Sequence, residues 1–128
     1  MLEHGEITEK VIGCCFEVIN ELGPGFLESV YQKSLLIALR EAGLRAEEQA
    51  PLRVSFRGQC VGDFYADIVV EGTVIVELKA VTKLAPEHKA QLINYLNATG
   101  SPVGLLVNFG SADLEWRRLT PRNKEKQG

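Results

Sequence analysis

The sequence predicts a mixed α/β (α+β) domain, with a central mixed β-sheet flanked by helices. Three observations carry that reading. Apolar residues recur at three- and four-residue spacing through the first third of the chain, which marks two amphipathic helices. From Leu52 the period changes to two, the alternation of a half-buried strand. Further on, a helical stretch after Pro86 separates two strongly apolar runs, so strands and helix must pack as layers around a shared core.

The first helix is expected from about Glu6 to Glu21, with Ile7, Val11, Cys14, Cys15, Val18 and Leu22 on its apolar stripe. Gly23-Pro24-Gly25 ends it. A second helix is expected from Phe26 to a left-handed cap at Gly43, burying Leu27, Val30, Tyr31, Leu35, Ala38 and Leu39. Leu52, Val54 and Phe56 alternate with Arg53, Ser55 and Arg57 in the first strand, and Arg57-Gly58-Gln59 forms a turn. Val61 to Val70 is the second strand, Glu71-Gly72 a hairpin turn and Thr73 to Ala80 a third, central strand. Pro86 opens a helix that runs to about Asn97. Val103 to Phe109 reads as a buried strand and Leu114 to Leu119 as an edge strand.

The 128 residues fit one domain, taken as 1–120, followed by a polar, flexible tail at 121–128. Hydrophobic residues make up 45% and charged residues 24%, ordinary for a soluble globular protein. No apolar run approaches the ~20 residues of a membrane helix. The N-terminus lacks the basic and apolar regions of a secretory signal, so a cytoplasmic location with no membrane partner is expected. Cys14, Cys15 and Cys60 have neither disulfide nor zinc-ligand spacing. The net charge of −3 argues against a protein that grips nucleic acid mainly through a basic surface. It leaves a nuclease open, because metal ions reverse the sign of an acidic site.

The chemistry lies in the run from Gly62 to Ala80, GDFYADIVVEGTVIVELKA. Asp67, Glu77 and Lys79 are charged residues inside strands that otherwise read as buried. Burying a charge costs heavily unless it is paired or binds a metal. Glu77 and Lys79 are two apart and share a face. A hairpin loop of Glu71-Gly72-Thr73 pairs Val70 with Val74 and sets Asp67 opposite Glu77, at about 5.5 Å between Cα atoms. A two-residue loop sets Asp67 opposite Val76 instead. Two carboxylates that share a spot suit a hard cation such as Mg²⁺.

Two helical pairs add to this. Glu28 and Tyr31 are i and i+3, and Gln91 and Tyr95 are i and i+4, so each pair shares a helix face. An amide and a phenol could orient a metal-bound water, a lysine or a phosphate. Glu28 alone is also an ordinary favourable acid in a first helical turn, and Tyr31 alone an ordinary core aromatic.

An early helix acid, Asp67, Glu77-x-Lys79 and Gln91-xxx-Tyr95, in that order, resemble the PD-(D/E)XK nuclease superfamily. Gln91-xxx-Tyr95 is similar to its RecB-like and lambda-exonuclease-like branch. Gly25-xx-Glu28-xx-Tyr31 resembles the GxxExxY protein family. Ala66 stands where the name motif has proline. The resemblance implies a restriction-endonuclease-like core and a Mg²⁺- or Mn²⁺-dependent nuclease. Its catalytic residues would be Glu28, Asp67, Glu77, Lys79, Gln91 and Tyr95, with Asp67, Glu77 and Glu28 as metal ligands. Tyr31 and His88 would support the site or touch substrate; His4 is read as exposed surface. Arg53 and Arg57, on one face of the first strand, and Lys83 and Lys89 are the basic candidates for a substrate path. Nucleic acid is the expected partner, DNA in preference to RNA. The alternatives are a non-catalytic nucleic-acid- or protein-binding module on the same fold, or a subunit active only as a homodimer or with a protein partner.

Overall fold

The structure is a computed structural model that describes residues 3–122. The elements run α1 (His4–Leu22), α2 (Glu28–Glu41), β1 (Ala46–Phe56), β2 (Gln59–Val70), β3 (Val74–Lys79), α3 (Pro86–Thr99), β4 (Val103–Asn108) and β5 (Glu115–Leu119). The five strands form one sheet in the order β1-β2-β3-β4-β5. β3 and β4, joined through α3, are parallel, and the other neighbours are antiparallel. β3 is central and β5 an edge, as the apolar runs predict. Most of the tail, residues 123–128, lies outside the described residues. No helix among the described residues is long and apolar enough to cross a membrane.

Alternation along β3 and β4 divides the core in two. Val74, Val76 and Leu78, with Val103, Leu105 and Val107, face α1 and α2; Ile75 and Leu106 face α3 with Leu92 and Leu96. Cys14 and Cys15 lie in the first cluster, where burial raises both thiols' pKa.

Three boundaries differ from expectation. Helix α2 starts at Glu28, so Phe26 and Leu27 precede it, and it ends at Glu41. β1 starts at Ala46, well before Leu52; Ala46–Pro51 is polar, and a strand at the sheet edge needs no apolar outer face. The β2–β3 register is the one with Val70 opposite Val74, around a turn in which Glu71 and Gly72 both have positive φ.

The β1–β2 hairpin changes face midway. Ala46, Ile68 and Val70 pack with the α1/α2 cluster, whereas Ala50, Leu52 and Ala66 pack with the α3 cluster. All are even-numbered and would share a face in regular strands. The switch falls at Gln49, which has φ 50°, and at Asp67 beside it, where the ladder skips a pair. Beyond this kink the hairpin runs past the end of β3 as a two-stranded arm. Its tip turns at Arg57-Gly58.

The Gly23-Pro24-Gly25 connection is latched from inside the core. Tyr31 is fully buried and stacks on Phe109 at 4.8 Å between ring centroids. Its hydroxyl donates to the Gly23 carbonyl at 2.6 Å and accepts the Phe26 N–H at 3.2 Å. Tyr31→Phe removes both bonds and is expected to cost about 1–2 kcal/mol. For a domain of this size Tm should fall by roughly 3–10 °C. Thermal unfolding followed by circular dichroism checks it; an unchanged Tm means the latch is not what holds the loop.

Candidate active site

β3 builds the floor of the site. On its α3-facing side Ile75 is core, and Glu77 and Lys79 follow at the strand's C-terminal end, where the apolar layer runs out. The Val70–Val74 register continues to Asp67 opposite Glu77, although the backbone ladder stops at Ile68–Val76. Past that pair the Asp67 carboxylate accepts the Leu78 N–H at 2.8 Å. A side chain thus stands in for a ladder bond where the strands part.

Glu77 is 8% exposed, and its Oε1 is buried with no hydrogen-bond partner. Burial, then the neighbouring Asp67 charge and the hydrogen bond to Asp67, push the Glu77 carboxyl up to about 8. The Asp67 backbone N–H and then Lys79 only partly oppose this. A buried acid facing another acid, with one oxygen orphaned, is unfavourable unless something positive sits against it.

The helices bring four more of the expected groups. Glu28, at the start of α2, reaches over the sheet end. Shielding from water raises its carboxyl above the usual carboxylate range, Lys79 opposes, Asp67 adds to the rise, and the Ala80 N–H and His88 oppose. Tyr95 on α3 is raised by partial burial and by the Glu77 and Asp67 charges, against a hydrogen bond from Gln91. His88 Nδ1 accepts the Ala85 N–H at 3.0 Å, which caps α3. One ring nitrogen is thereby committed to structure.

Glu28, Asp67, Glu77, Lys79, His88, Gln91 and Tyr95 therefore gather around one end of β3. Tyr31 does not: its hydroxyl is spent on the loop before α2, so it positions the approach to Glu28 and stays out of the site. His4 begins α1 and is exposed. Arg53 and Arg57 do not share a face, because Arg53 pairs with Asp63 at 3.6 Å and Arg57 lies in the turn. Among the described residues no three His, Cys, Asp or Glu side chains form a ready-made metal cage. Asp67 and Glu77 are a pair, and Glu28 stands off from them.

Asn108 was not singled out from the sequence. It is fully buried at the end of β4. Its Oδ1 accepts the Val81 and Gly110 N–H groups at 3.0 and 2.9 Å; its Nδ2 donates to the Val81 carbonyl at 2.8 Å and to Glu115 Oε1 at 3.1 Å. Glu115 Oε1 also accepts the Leu84 N–H at 3.0 Å, and these two bonds lower the Glu115 carboxyl. Gly110 packs backbone to backbone against Val81, where a side chain would clash. The network fastens the segment that leaves Lys79 for α3. A polar residue ending the apolar run VGLLVN was its sequence signal, of the same kind as Glu77 in VIVELK.

A family model of the PD-(D/E)XK nuclease superfamily matches residues 5–119, the whole span from α1 to β5. The chain belongs to the PD-(D/E)XK nuclease superfamily. Among solved structures, the crystal structure of SSO0001 superposes with a TM-score of 0.58 at 20% sequence identity, over 77% of this chain. The match covers 52% of SSO0001, so this chain spans about half its length. That likeness shows the fold alone, a restriction-endonuclease-like one. No curated protein matches.

Proposed function

We propose that this superfamily member is a Mg²⁺- or Mn²⁺-dependent nuclease that hydrolyses phosphodiester bonds, in DNA rather than RNA. The observation that carries the reading is Glu77: a buried carboxylate beside Asp67 with one oxygen unpartnered. Asp67 and Glu77 would hold the cation, which fits a hard ion that takes few protein carboxylates and keeps several waters. When bound, the ion would supply a water of lowered pKa and charge neutralisation at the phosphate.

The protein's own groups do the rest. Lys79 lies on the same strand face, two residues on, and would stabilise charge developing at phosphorus. Gln91, one turn before Tyr95 on α3 and close enough to favour its charged form, would orient the Tyr95 hydroxyl. Glu28, close enough to feel both Lys79 and Asp67, would orient the attacking water or complete the ion's outer shell. His88 would contact a phosphate oxygen through the nitrogen that does not cap α3. The Gln91–Tyr95 pair and the Gly25-xx-Glu28-xx-Tyr31 segment support placing the chain in the RecB-like branch and in the GxxExxY family. A cytoplasmic site of action is part of the same proposal, supported by free Cys14, Cys15 and Cys60.

The test is calorimetric titration of Mg²⁺ and Mn²⁺ into wild type and Asp67→Asn, with cleavage of DNA and RNA assayed in the same buffer. The asparagine can still accept the Leu78 N–H, so the fold should persist. Binding that the substitution weakens at least about tenfold, together with metal-dependent cleavage, is the expected result. A folded wild type that binds neither ion would sink the metal-dependent reading in favour of a non-catalytic module. Binding without cleavage would point to a subunit that needs a partner or a second copy.

A further inference from the structure

We propose that the α3-facing side of the β1–β2 arm is a stacking surface for unpaired nucleotides, along which a single nucleic-acid strand reaches the acid pair Asp67 and Glu77. The inference rests on the nuclease reading and adds to it a substrate class and the residues that select it.

The arm begins at a catalytic candidate. Residues Gln59 to Ala66 lead directly into Asp67, and most of this stretch runs beyond the end of β3. Alternation along β1 puts Phe56 on the face of Leu52 and Val54, and Leu52 pairs with Phe64. Leu52 packs with the α3 cluster, which identifies this as the α3-facing side. Phe64 meets the Tyr95 ring at 5.5 Å between centroids. Tyr95 and Phe64 are thus in contact beside the site, and Phe56 continues the row toward the arm's tip, past a register shift between Val54 and Ser55.

Two details make the row a platform and not a core remnant. Phe64 is 42% and Phe56 59% exposed. The Phe64 ring also lies along the arm over Gly62, where a Cβ would stand 2.9 Å from the ring. A glycine at that position keeps the ring flat on the surface. At the tip the Arg57 guanidinium sits 4.7 Å over the Phe56 ring.

Exposed aromatics with an arginine at their outer end are the chemistry of single-strand binding, since every base has a π-face whatever its sequence. An aliphatic partner surface would not need the arginine, and a duplex hides its base faces. From Gln59 to Asp67 the strand extends for about 27 Å, room for at most about eight bases at the ~3.4 Å stacked spacing of one strand.

The test uses a fluorescein-labelled 20-mer of thymidylate and the matching blunt duplex, titrated in Ca²⁺ by anisotropy, with wild type, Phe56→Ala, Phe64→Ala and Tyr65→Ala. Tyr65 is 61% exposed but alternates to the opposite face, opposite Pro51. The expected result is that each phenylalanine variant weakens single-strand binding by about 5- to 100-fold, with Tyr65→Ala within about twofold of wild type. Phe56 has little packing to lose, so its variant remains informative if Phe64→Ala unfolds. Equal losses for Phe56→Ala and Tyr65→Ala, no loss, or a wild type that does not hold the strand overturns the inference. So does a loss as large on the duplex, or a dimer that Phe56→Ala splits, by light scattering. Wild-type hydrolysis of bis(4-nitrophenyl) phosphate reads the acid pair apart from the arm. If it is absent while strand binding depends on Phe56, the nuclease reading falls and the stacking surface stands.

Discussion

Lys79→Ala is expected to lower metal-dependent phosphodiester cleavage by about 10²- to 10³-fold while leaving the fold intact. Lys79 is half-buried at the last position of β3, where its backbone still pairs with β4 and its carbonyl accepts the Phe109 N–H at 2.8 Å. Those bonds belong to the main chain and survive truncation. What the alanine removes is the positive charge that Glu28 and Glu77 both feel. Single-turnover cleavage with saturating metal, alongside a thermal melt, separates the two effects. Activity within about threefold of wild type, in a protein that melts normally, would remove Lys79 from the chemistry and leave the acid pair without an electrophilic partner.

Glu77→Gln is expected to stabilise the metal-free protein at pH 8 by on the order of 2–4 kcal/mol while abolishing activity. The sign follows from the raised carboxyl. Below the ordinary Glu range both folded and unfolded chains hold the proton, and Glu77 costs nothing through ionisation. Between that range and about 8, the unfolded chain releases the proton that the folded chain keeps. Stability therefore falls as pH rises through this window and levels off above it. Glutamine has no proton to lose, so the variant's Tm should fall less than wild type's over the same window, keeping only the smaller slope that the raised Glu28 carboxyl contributes. Mg²⁺ should raise the wild-type Tm most at pH 8, because binding must expel the Glu77 proton, and should do nothing for the variant. Parallel wild-type and variant melts between pH 5 and 8.5 decide it. Equal slopes would mean Glu77 ionises as freely folded as unfolded.

What was legible in the sequence follows the strength of the local signal. Asp67, Glu77 and Lys79 stood out because charge inside an apolar run has few innocent explanations, and β3 is indeed the central strand. The hairpin register could not be read, since Glu71-Gly72 accommodates loops of either length; both residues take positive φ, as a two-residue turn also requires, and the register is set by Thr73, which stays in the loop between Val70 and Val74. The first half of β1 was hidden because Ala46–Pro51 carries no alternation, and its pairing comes from β2 rather than from its own pattern. Glu28 and Tyr31 look equivalent as an i, i+3 pair. Only packing separates them: one carboxylate reaches the site, and the other side chain turns inward to Gly23 and Phe109. Asn108 carries the same local signal, a polar end to an apolar run, but its four bonds join segments that no spacing rule connects.

The kink at Gln49 and Asp67 separates what anchors the hairpin from what protrudes. Below it, both strands are bound against α1 and α2; just beyond it Ala50, Leu52 and Ala66 still pack on the α3 cluster, and only from about Arg53 outward do the pairs touch mainly solvent. Pairs could be added or deleted near Arg57-Gly58 without shifting a single contact of the α1/α2 cluster. The hairpin is in effect an interchangeable attachment on a fixed engine. Grafting a longer or shorter loop between Val54 and Gly62 would retune reach while Asp67 stays seated against Leu78.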